Sequence, residues 1–132
     1  MNGPSFILAA GPVIVEGGKV LLVKHGDDSF WKFPGGKLED TDADLEAVAR
    51  REAAEELGIE IVLEASLKPV LVRRDGTIVA LIHFFAHRRG EIRPGPHIRA
   101  WDWFPIDGLP HDAAPNIAPV IADYIALKGN RA

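Results

Sequence analysis

The chain has 132 residues, 47% of them hydrophobic, with three Trp and no Cys. That length suits one domain, 1–132, whose core can hold a fold without staples, and the missing cysteines exclude disulfide frameworks, zinc fingers, iron–sulfur clusters and thiol nucleophiles. A net charge of −4 argues against a protein that coats nucleic acid, although fifteen Lys and Arg remain for a local basic site.

Met1 to Ala10 has no basic leader region, and no stretch approaches the ~18 apolar residues of a membrane span. Neither a signal peptide nor a membrane anchor is expected, and a cytoplasmic location fits. Ile7 to Val15 is apolar around Gly11 and Pro12 and reads as a strand with a break. Glu16 to Lys19 is a tight turn into a short buried strand, Val20 to Val23. His25 to Ser29 is turn-like, Phe30 to Phe33 alternates, and Pro34-Gly35-Gly36 stops any regular element.

Asp42 to Leu57, rich in Ala, Leu, Glu and Arg, is the one long helical segment. Asp42 and Asp44 are both candidate N-caps, and Gly58 stands where a left-handed C-cap glycine belongs. Glu60 to Leu63 resembles a strand. Val70 to Arg74 and Thr77 to Ala86 form a hairpin about Asp75-Gly76. Arg88 to His97 is a loop broken by Gly and Pro, Ala100 to Ile106 a last strand, and Asn116 to Lys128 a closing helix behind Pro115. Strands, a helix, more strands and a helix imply a mixed sheet with helices packed on it.

At about 100° per residue, Leu45, Val48 and Ala49 share one helix side with Glu52, Glu55 and Glu56, which stand at i, i+3 and i+4. Like charges at these spacings repel, and partial burial adds a desolvation cost. Arg51 can reach Glu55 but cannot satisfy three carboxylates; a hard divalent cation can. The competing reading is an ordinary solvated Glu/Arg helix face held by i,i+4 pairs. The upstream Pro34-Gly35-Gly36-Lys37 favours the metal, because such a loop lets backbone and a lysine approach a ligand closely.

Gly36, Asp42 and the run Arg51-Glu52-Ala53-Ala54-Glu55-Glu56-Leu57-Gly58-Ile59 resemble the signature of the Nudix hydrolases. That pattern reads Gly, five residues, Glu, seven residues, then Arg-Glu-U-x-Glu-Glu-x-Gly-U, where U is a bulky aliphatic. The flanks, Trp31-Lys32-Phe33-Pro34-Gly35-Gly36-Lys37 and Trp103-Phe104-Pro105-Ile106-Asp107, are similar as well. Three positions depart from it: Asp42 replaces the first glutamate, the following spacer is one residue too long, and Ala53 is small. The acidic run itself is intact.

The resemblance implies an α+β Nudix fold, a mixed β-sheet packed between helices as an α/β/α sandwich. It implies hydrolysis of a phosphoanhydride bond in a nucleoside diphosphate linked to another group, with Mg²⁺, or Mn²⁺ in its place. Glu52, Glu55, Glu56 and the Gly35 carbonyl would hold the metal, and Arg51 would orient the glutamates. Arg51, Glu52, Glu55 and Glu56 together form the catalytic set, with Glu55 or Glu52 favoured as base. The later loop, Arg93 to His97, has no acid; Glu91, Asp102 and His97 are its nearest titratable groups.

Trp31 and Phe33 are candidates to stack a base, though alternating strand aromatics are usually core. Lys37 and Arg73, with its neighbour Arg74, are candidates to meet phosphate. His83 and His87 face one side of a strand without a third zinc ligand. The Phe33-Pro34-Gly35-Gly36-Lys37 wording resembles the MutT-like branch acting on nucleoside triphosphates. Hydrolysis of ADP-ribose or a dinucleoside polyphosphate, and a catalytically weak nucleotide-binding module, are the alternatives. The implied partner is a small nucleotide, not a nucleic acid polymer or a membrane; homodimers are common in the family, but no residue argues for one here.

Overall fold

The computed structural model describes residues 5–130; the start of the stretch read above for a leader, and the last two residues of the chain, lie outside it. The strands are β1 (Ser5–Glu16), β2 (Lys19–His25), β3 (Gly36–Lys37), β4 (Glu60–Ser66), β5 (Val70–Arg74), β6 (Thr77–Arg89) and β7 (Ile98–Pro105). The helices are α1 (Leu45–Leu57) and α2 (Ile117–Asn130). The main path of the sheet runs β4-β6-β1-β2-β7, with β3 added to β1 and β5 to β6. Among the described strands β1 and β6 pair in parallel, over Ser5–Ile14 and Thr77–Ala86, and the other strand-to-strand pairings are antiparallel.

Val20 to Val23 is fully buried because helices cover both sheet faces, which turns a strand into an unbroken apolar run. Side-chain alternation then divides the core in two. Ile14, Leu21, Val23, Phe84 and Ala86 pack with Val48, Ala49, Ala53 and Leu57 of α1. Val13, Val20, Leu22, Phe33 and Phe85 pack with Ile117, Val120, Ile121 and Tyr124 of α2. The result is the expected sandwich of two helices about a mixed sheet.

Helix α1 is capped as its sequence demands. Asp44, not Asp42, is the N-cap, its carboxylate accepting the Ala47 N–H at 2.8 Å. At the other end Gly58 adopts φ 65°, and its N–H closes onto the Ala54 carbonyl at 3.0 Å.

Four expectations change. β1 is continuous through Gly11-Pro12, because Pro12 falls where β3 has ended and β2 has not begun, a stretch that tolerates a missing donor. Phe30 to Phe33 forms only isolated bridges, Trp31 to Ala113 and Lys32 to Val23. The glycine loop does not stop all regular structure, since Gly36 and Lys37 pair with Ala10 and Ala9. β6 runs on to Arg89 because β4 supplies pairing as far as Glu60.

Candidate active site

The acidic flank of α1 is organised by Arg51. Its guanidinium donates twice to Asp42, Nε to Oδ1 and Nη2 to Oδ2, both at 2.9 Å. Nη1 donates to Glu52 at 2.8 Å and Glu55 at 3.2 Å, and Nη2 also to the Lys37 carbonyl at 3.1 Å. This fork holds the loop before the helix and two helix carboxylates in one arrangement. The Arg51 hydrogen bonds, followed by the Glu39 N–H at 2.8 Å, hold the Asp42 carboxyl below its ordinary pKa.

Glu56 lies deeper, 6% exposed, and its Oε2 accepts the Gly35 N–H at 2.7 Å. Its Oε1 abuts His25 Nε2 yet has no hydrogen-bond partner. Gly36 packs directly on Glu52, so that a Cβ there would run into the carboxylate. Burial, then the charge of Glu56, raises the pKa of Glu52. Glu55 is 59% exposed and touches only Arg51 among the charged groups.

The three glutamates therefore share a helix flank without converging. Among the described residues no group of three or more acidic or imidazole side chains is arranged to hold a metal ion. The expected inward face is real for Glu56 and in part for Glu52, whereas Glu55 turns to solvent. The donor chemistry still fits a hard cation: the groups are carboxylates, and burial together with the nearby Glu56 charge resists ionisation of Glu52.

On the α2 face of the sheet a cleft of about 550 Å³ opens beside the same loop. Phe33, Pro34, Gly35 and Gly36 line it from the loop; Ala9 and Leu81 contribute apolar lining, and Lys32, Arg74 and Asn116 polar groups. Its most buried polar member is His83, 5% exposed. The imidazole packs on the Phe33 ring, centroids 4.7 Å apart, and Nδ1 has no hydrogen-bond partner. Burial pushes its pKa down to about 4.

The sequence and fold that carry this acidic flank, glycine loop and cleft match known proteins along most of the chain. The NUDIX domain family model fits residues 6–124. The chain belongs to the Nudix family. A MutT-like protein from Streptomyces ambofaciens is 30% identical over 116 residues, covering 88% of this chain and 71% of that one. The crystal structure of a MutT NUDIX hydrolase from Burkholderia pseudomallei superposes with a TM-score of 0.81 at 27% identity, covering 90% and 98% of the two chains. An Ap4A hydrolase from C. elegans, at 18% identity and TM-score 0.79 over 94% and 98%, shares the fold. The protein is a Nudix hydrolase.

The variant Nudix box is thereby explained in part. Asp42, though shorter than glutamate, still accepts a bidentate pair from Arg51 Nε and Nη2, and Asp44 caps the helix separately. Trp31 does not line the cleft; it meets Phe104 edge-on at 4.8 Å and carries Lys24 over its ring. Phe33 does line the cleft, with its ring against His83. The Lys37 side chain is exposed, while its carbonyl serves Arg51. Arg74 reaches the cleft, whereas Arg73 does not line it.

Glu91, His97 and Asp102 are exposed, and Asp102 accepts the N–H of its neighbour Trp103 at 2.7 Å. Their loop is pinned to the end of α1, Arg93 N–H to the Leu57 carbonyl at 2.7 Å and Gly95 N–H to that of Glu56 at 2.9 Å. Sequence reasoning missed His25, Phe30 and Asn116 as site residues. Only the long-range packing of strands and loops assembles them, and no local spacing signals it.

Proposed function

We propose that this Nudix hydrolase cleaves a phosphoanhydride bond of a nucleoside diphosphate-X substrate, with nucleoside triphosphates as the principal class. One observation carries the reading. The loop that walls the cleft also touches both inner acids, through Gly35 N–H to Glu56 and Gly36 against Glu52. A nucleotide in the cleft would thus lay its phosphates over the acidic flank. The resemblance to MutT-like proteins supports the triphosphate class.

Glu52, Glu55, Glu56 and the Gly35 carbonyl are assigned to a divalent cation, Mg²⁺ or Mn²⁺. When bound, such an ion neutralises phosphate charge and lowers the pKa of an attacking water. Arg51 keeps Glu52 and Glu55 in place and so fixes the register between loop and helix. Glu55, the exposed carboxylate, is the one best placed to take a proton from solvent-derived water.

The purified protein with Mg²⁺ is to be screened against ordinary and oxidised nucleoside triphosphates, ADP-ribose and dinucleoside polyphosphates, following pyrophosphate and phosphate release. Preferred turnover of triphosphates is expected, with Glu55→Gln lowering it by orders of magnitude at an unchanged fold. Preference for ADP-ribose or a dinucleotide moves the substrate class. The non-converging glutamates favour one further reading, a catalytically weak nucleotide-binding module. Tight binding of a nucleotide without turnover of any would establish it and sink the hydrolytic assignment.

A further inference from the structure

His83 stands apart from the acidic machinery and is not used by it. It lies on β6 with the parity of Phe85, so it faces α2 and the cleft, on the side of the sheet away from α1. A buried polar atom almost always has a partner, and its absence calls for a cause. Nδ1 of His83 has none, although Arg74 and Asn116 line the same cleft. Phe33, 5% exposed, packs against the imidazole and fixes its plane.

We propose that His83 is a specificity-determining residue, its imidazole hydrogen-bonding the polar edge of the substrate's base at the cleft floor while Phe33 holds the ring in register. The inference rests on the nucleotide reading above and adds which residue reads the base. The surroundings select a base over a phosphate. A neutral imidazole offers one donor and one acceptor and no net charge for an anion. Ala9 and Leu81, register partners on β1 and β6, add apolar lining beside it. Phe30, 54% exposed at the rim, supplies a free aromatic face above it. Of the cationic groups in the cleft, Lys32 is already paired with Asp28 at 2.9 Å.

The test compares wild type, His83→Phe and His83→Gln. NMR titrations would measure binding of the five common nucleoside monophosphates and, as a probe without a base, inorganic tripolyphosphate. Wild type is expected to prefer one base. His83→Phe should weaken that base about tenfold, the ~1.4 kcal/mol of one hydrogen bond, and flatten the ranking. Glutamine should recover part of the preference, and tripolyphosphate should bind all three proteins alike. With the preferred triphosphate the loss should fall mainly on KM. A merely structural His83 would shift thermal stability and leave the base ranking intact. An unchanged ranking, an equal loss for tripolyphosphate, or no binding of any monophosphate by the wild type would overturn the proposal. Absence of turnover would count against hydrolysis alone, because the monophosphate ranking is read without catalysis.

Discussion

Gly36→Ala separates the geometry of the site from the stability of the fold. Gly36 has no left-handed φ, so alanine suits its backbone. The added Cβ would overlap Glu52 Oε1 and lie 2.6 Å from Cδ, where ordinary contact begins near 3.4 Å, so the carboxylate must retreat by roughly 1 Å. That atom ends a flexible side chain, which makes the shift cheap for the fold. It is costly for chemistry, since a displacement of about 1 Å can lower a rate ~10²-fold, some 2.7 kcal/mol of transition-state stabilisation. Gly35→Ala provides the contrast. Gly35 has φ 152°, and its Cβ would meet the Ala10 carbonyl oxygen at 2.6 Å, a backbone atom that cannot step aside. It should unfold several degrees earlier, by about 2–4 kcal/mol of strain and overlap. Thermal unfolding and steady-state kinetics on both variants check this. If Gly36→Ala keeps its melting temperature and also turns over within twofold of wild type, the placement of Glu52 against the loop is not what the reaction depends on.

Three further outcomes follow from the same contacts. The Asp42 carboxyl titrates below its ordinary value of 3.8, so its contribution is present above that pH and is lost as pH falls through the lower folded value. The melting-temperature gap between wild type and Asp42→Asn should accordingly close below pH 3.8. For His83 the shift from 6.5 to about 4 makes the unfolded chain bind the extra proton first, so stability falls as pH drops across that window. Wild type should lose about 3 kcal/mol more than His83→Phe between pH 7 and 4 in denaturant titrations. Asp44→Ala should cost about 1 kcal/mol by the same measurement, through the lost cap alone.

Local chemistry made much of this fold legible. The cap at Asp44, the left-handed Gly58 and the apolar run Val20 to Val23 each follow from residues next to one another. The acidic set was legible for the same reason, because Arg51 and the three glutamates occupy one helix flank. What sequence could not show was the direction of each carboxylate. Glu55 and Glu56 are adjacent in the chain, yet one is exposed beside Arg51 and the other is buried under Gly35. The cleft was invisible for a different reason. Its lining runs from Ala9 to Asn116, and only sheet pairing between β1 and β6, with the return of the chain at Ala114, brings those residues together.

The glycine loop explains why two halves of a site can sit on opposite faces of one sheet. β1 pairs with β3 at Ala9 and Ala10 and with β2 only from Val15, leaving an interval on that side without a strand. Pro34 enters this interval, so close to β1 that a Cβ on Gly11 would overlap its carbonyl oxygen. On one side of the crossing Phe33 joins the α2 core and backs His83; on the other Gly36 lies against Glu52. A complete β1–β2 ladder would seal the cleft from the acids, and a wider gap would lose the Gly35 N–H that holds Glu56. The two glycines and the missing ladder bonds are thus one device: they let the backbone pass through the sheet, and that passage brings the cleft on the α2 side next to the carboxylates of α1.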